Sequence, residues 1–117
     1  MGAQRHGNDE PIIPQPELTP SALRQAVAIV APSRLDEFLD DLERAVAEAV
    51  DQGSIIPIRV FYVTWAEFVE IERHPETARR LHEAERAMAS YDDEVRDRAV
   101  REISDIARAA GQAVAGE

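Results

Sequence analysis

Read as apolar and polar positions, the chain changes period several times, and each change marks an element. Residues 1–18 have no period, because Gly2, Gly7, Pro11, Pro14 and Pro16 interrupt a stretch with little apolar content. Such a segment cannot offset its ordering entropy, so a disordered or extended tail is expected, with Ile12–Ile13 the pair able to dock on the domain. Leu23, Ala26, Val27 and Val30 then recur at helical spacing. They follow Thr19, a capping residue, and Pro20, whose missing N–H falls where it would have no partner. Pro32 ends that helix. A second is expected from a Ser33 cap with Asp36 three residues on, through the stripe Leu35, Phe38, Leu39, Leu42, Val46, Ala49 and Val50, to a left-handed stop at Gly53.

The stretch from Ile55 to Ile71 carries competing signals. Ile55, Ile56, Ile58, Val60, Phe61, Tyr62, Val63, Thr64 and Trp65 are rich in strand formers. They do not alternate with polar residues, and no second candidate strand offers a ladder, so a lone strand would leave its backbone groups unpaired. Pro57 as a first helical residue, then Ile58, Phe61, Trp65, Phe68, Val69 and Glu72 in steps of three and four, predicts a buried third helix. Residues 55–60 remain open between helix and extended chain.

His74–Pro75 breaks this helix, and Pro75 starts the next. From Glu76, Leu81, Ala84, Met88, Tyr91, Val95, Ala99, Ile103, Ile106 and Ala110 advance by three or four without interruption. Ser90–Tyr91–Asp92–Asp93 can recap the chain and split this long helix. Glu76–Arg80, Asp92–Arg96, Glu94–Arg98 and Asp97–Arg101 are expected i,i+4 pairs, each worth a few tenths of a kcal/mol. Gly111 and the alanine-rich end are expected to fray. The fold class is therefore all-α: a small bundle of three to four helices with a long, breakable C-terminal helix. Residues 1–18 form the tail, 19–75 a core closed around Phe38, Leu42, Phe61 and Trp65, and 76–117 the amphipathic C-terminal helix of the same domain.

Composition narrows what such a bundle does. The 44 % hydrophobic content is that of a folded chain, the net charge is −10, and all 13 basic residues are arginine. That acidity disfavours nucleic acid and steers in a basic partner. No apolar run approaches the roughly 20 residues a bilayer span needs, and residues 1–7 hold no apolar leader, so the expected address is cytoplasmic, without membrane contact. The absence of cysteine removes disulfides, thiolate catalysis and Cys-based zinc sites.

Candidate chemistry is sparse. No glycine-rich phosphate loop, HExxH or EF-hand loop is present. His74 and His82, near Glu70 and Glu85, are the one conceivable metal cluster, and a helix cap and a half-exposed surface residue are the better readings. Glu67, Glu70 and Glu72 lie near Trp65 and Tyr62, where burial can raise a carboxyl pKa, but nothing supplies a second catalytic group. Arg79–Arg80 and Arg96, Arg98 and Arg101 read as a solvated, salt-bridged face rather than an anion grip.

Thr19-Pro20-Ser21-Ala22-Leu23-Arg24, then Ala31-Pro32-Ser33-Arg34-Leu35 with Glu37-Phe38, then Trp65 and Ile71-Glu72-Arg73-His74-Pro75, resemble an uncharacterised family of small actinobacterial proteins, a domain of unknown function. The likeness spans about residues 18–82 and rests on short words. It implies a protein similar to the antitoxin halves of toxin–antitoxin pairs, and it carries over no catalytic residue. The expectation is a non-catalytic protein–protein interaction module, antitoxin-like or regulatory, that uses no cofactor or metal. It would bind a basic protein partner through Leu81, Met88, Tyr91, Val95, Ile103 and Ile106. The alternatives are a homodimer formed along the same stripe and, behind it, a small-ligand binder using Trp65 with Glu67 and Glu70.

Overall fold

The computed structural model describes residues 10–116, so the tail expected over 1–9 lies outside the described residues. Five α-helices follow one another: α1 (Pro20–Val30), α2 (Leu35–Gln52), α3 (Ile56–Glu72), α4 (Pro75–Ala87) and α5 (Asp93–Val114), with a 3-10 turn at Pro32–Arg34 before α2. The protein is all-α, and the helix count exceeds the expected three to four. The single C-terminal helix is two, because Asp92 recaps the chain: its Oδ1 accepts the Glu94 N–H at 2.9 Å, and Ser90 Oγ accepts the Asp92 N–H at 3.0 Å.

Local chemistry sets most boundaries. Thr19 Oγ1 accepts the Ala22 N–H at 3.1 Å and caps α1. Ser33 does not cap α2: it lies inside the 3-10 turn, and Arg34 precedes the helix without a side-chain cap bond. Asp36 and Glu37 in the first turn complement the helix dipole there. Gly53 ends α2 at φ 63°, a left-handed conformation that costs glycine nothing. Residues 56–60 are helical, and Ser54 Oγ accepts the Ile56 N–H at 3.1 Å.

Helix α3 is the hub. It packs on α1, α2, α4 and α5, and among the helices α4 and α5 contact only it and each other. A helix gripped from several sides must be apolar nearly all round, which is why its sequence imitates a strand. Leu23, Val27, Phe38, Phe61, Trp65 and Val69 form the core, with Leu42 partly buried against it. The Phe38 ring lies 5.1 Å from Phe61 and meets Trp65 edge-on at 5.3 Å, a favoured aromatic geometry. Trp65 Nε1–H donates to Asp41 Oδ2 at 3.1 Å. The Arg34 guanidinium covers Trp65 and Phe68 at 5.5 and 4.8 Å.

Residues 10–18 are extended and tied down. The Ile12 N–H donates to Arg73 O at 2.8 Å, Arg73 Nη1 to Ile13 O at 3.0 Å, and Gln15 Nε2 to Ala113 O at 3.3 Å. Ile13 packs against the core. The radius of gyration, 16.1 Å, exceeds the about 13.5 Å of a near-spherical domain of this length. The helices pair into two hairpins, α2–α3 and α4–α5.

Candidate interaction surface

The end of the α2–α3 hairpin is where apolar sequence outruns its cover. Helix α5 runs antiparallel to α3: Ile106 and Ala110 share a groove with Ile71, His74 and Glu70, and Gly111 lies against Glu67, where an added Cβ would stand 3.3 Å from its Oε2. One further turn ends α5 at Val114. The first turns of α3 extend past it. Val46, Val50, Ile55, Ile56, Val60 and Val63 are all exposed, from 44 % at Val46 and Val63 to 78 % at Val50.

Helical spacing distributes these six over the tip. Ile56, Val60 and Val63 form one face of α3, with Arg59 among them. Val60 also borders a shallow groove between the helices, whose α2 wall is Arg44 and Glu48. Val46 and Val50 lie on the flank of α2 turned away from that groove. The six therefore lie on more than one flank of the tip and meet only near its end, where Val50, Ile55 and Ile56 are each more than half exposed.

The α4–α5 hairpin has the opposite finish. Its seam is built from small residues, Ala78, Ala84 and Ala99, and Arg80 Nε reaches across it to Glu102 Oε2 at 2.7 Å. Arg79 bridges Glu76 and Glu83, and Arg96 pairs with Asp93. None of the four expected i,i+4 pairs forms. Arg96 turns to the i−3 acid instead, and Arg80 is drawn to the neighbouring helix. The Arg79 guanidinium holds the Glu76 carboxyl below its ordinary value of 4.5, chiefly by hydrogen bonding. On α2, Arg34 does the same to Glu37.

The six residues expected to bind a partner do not share one open face. Ile106 is buried, and Leu81, Val95 and Ile103 are half-buried. Met88 and the wholly exposed Tyr91 stand at the turn between the helices. The carboxylates near Trp65 are engaged separately. Glu70 accepts from Arg73 Nε at 2.9 Å and lies 3.3 Å from His74 Nε2. Glu72 lies 2.9 Å from His82 Nε2. The groove beside Glu70 and His74 has a volume of about 270 Å³. Among the described residues, no three His, Asp or Glu side chains gather as metal ligands, and no helix is long and apolar enough to cross a membrane.

Fold and surface define an all-α protein, with five α-helices among the described residues, whose α2–α3 hairpin ends in an apolar tip. No family model matches the chain, and neither does any curated protein or solved structure.

The tip was missed in the sequence because α2 and α3 were each credited with one buried stripe. The signal was present in Ile55-Ile56-Pro57-Ile58, which with Val60 and Val63 leaves α3 no polar side at its start. A helix apolar all round needs cover on every side.

Proposed function

We propose that this chain is a non-catalytic protein-interaction module that docks through the tip of the α2–α3 hairpin. The observation that carries the reading is the set of six exposed aliphatic side chains on that tip. Exposed apolar area of this extent favours a protein surface in exchange for water. Glu43, Glu48 and Asp51 on α2 would add an acidic rim, which disfavours anionic membrane surfaces and nucleic acid.

A photo-crosslinking side chain placed at Val50 or Ile56, in cells producing the protein, tests it. Discrete covalent adducts are expected from both positions, and none from Val100 on the opposite hairpin. Absence of any adduct from either tip position, with the protein folded and present, would sink the reading.

A further inference from the structure

We infer that the occupant of the tip is a second copy of this chain, bound tip to tip across a two-fold axis. The inference rests on the tip being a docking surface and names what covers it. Two observations select the second copy.

The first is charge. Residues 54–66 carry a single charged side chain, Arg59. Its position, three residues after Ile56 and four before Val63, sets it inside the apolar face of α3 rather than at its edge. Glu43, Glu48 and Asp51 stand on the adjoining helix. Among the described residues, none of these four groups makes an ion pair within the chain. The tip thus presents one unpaired cation and several unpaired anions, beside an Arg44 already paired with Asp41. A basic partner would press positive charge onto Arg59. A two-fold axis, which sets each patch against its own image, gives Arg59 of each copy access to the other's acids and satisfies both signs.

The second is area. A tip-to-tip contact covers the residues nearest the end, Val50, Ile55 and Ile56, each more than half exposed in the single chain, and adds whichever flank meets the partner. Two helical hairpins laid together also form a four-helix arrangement, whose interior takes aliphatic residues such as these.

The overall charge of −10 makes the inference sharp. Two such chains repel at long range, and with a charge of this size the screening of that repulsion outweighs the screening of the few Arg59–acid attractions, so the dimer is expected to tighten as salt rises. Capture of a basic protein would weaken instead.

Sedimentation of the full chain across about 5 to 500 µM, at about 0.05 and 0.5 M salt, reads this directly. The expected result is a species of twice the 13.0 kDa chain mass, with a dissociation constant several-fold lower at the higher salt. Ile56→Glu and Val50→Glu should each weaken the dimer at least about tenfold, with the helical circular dichroism unchanged, since both side chains are already exposed. Ile56→Ser, a milder change, should weaken it in the same direction. A mass of 13.0 kDa throughout, or a dimer that survives all three substitutions, overturns the inference. Crosslinking to a different protein from the tip, with no self-adduct, would also overturn it while leaving the docking surface standing.

Discussion

The two hairpins share one plan, a pair of antiparallel helices joined by a short connection, and differ in where they place bulk and charge. In α2–α3 the large side chains, Phe38, Phe61 and Trp65, fill the seam, and aliphatic residues continue onto the outside at the tip. In α4–α5 the seam is closed by alanines and the outside is a lattice of arginine and acid. Small residues let two helices approach closely, but each removes little apolar area from water. The α4–α5 hairpin is therefore held by fit and exposed ion pairs of modest worth, and it offers a partner little besides Tyr91. Exposed finish, more than helix length or amphipathicity, separates the two arms.

If that contrast is right, the hairpins should break in opposite ways. Phe38→Ala removes a fully buried ring that touches Phe61 and Trp65, and should cost about 3–5 kcal/mol by denaturant unfolding. A cost below about 1 kcal/mol would mean that the aromatic seam is not the main support of the fold. The α4–α5 seam has alanines at most of its buried positions, so it should be sensitive to added volume there. Ala99→Leu should cost about 1–3 kcal/mol as α5 is wedged from α4. A neutral result would show that the hairpin is loosely closed.

A matched pair of exposed positions sharpens the comparison further. Ile56→Glu on the α2–α3 tip and Val100→Glu on α5 should each leave stability within about 0.5 kcal/mol. Only Ile56→Glu should alter association. Equal effects on association from both would erase the distinction between the two arms.

What could be read from the sequence follows from how local each signal is. The Thr19 cap, the Gly53 stop, the Pro75 start and the Asp92 recap are set by side chains within a few residues of the bonds they satisfy. The lack of a pairing strand favours a helix for α3 against its β-propensity but leaves residues 55–60 open, and the structure makes 56–60 helical. The tip was different in kind. Whether Ile56 or Ile106 is covered depends on where α5 ends along α3, a register fixed by contacts between Gly111 and Glu67 and around Ile71. No period in either helix encodes it. The stripe from Leu81 to Ala110 is covered in part by α3, on which both α4 and α5 pack.

The smallest expected effect lies in the acid limb of stability, and it too can be assigned hairpin by hairpin. Glu37 beside Arg34 and Glu76 beside Arg79 are both held below the ordinary 4.5, first by the hydrogen bond to the arginine. A carboxyl whose folded value is depressed contributes stability that is fully present above its unfolded value and is lost as pH falls through the folded one. Both pairs lie at the surface, with Glu37 exposed and Glu76 partly so, so solvent screens them and the contribution is slight. Thermal unfolding between about pH 6 and pH 3 should therefore show a shallow loss beginning below about 4.5. Arg79→Gln should flatten that limb by removing the α4 share, and Arg34→Gln should remove the α2 share. Arg34→Gln should also lower stability at neutral pH, because the Arg34 guanidinium covers the rings of Trp65 and Phe68, whereas Arg79 touches only acids. Equal neutral-pH losses from the two substitutions would show that the arginine of the aromatic hairpin acts through charge alone, as its counterpart on α4 does.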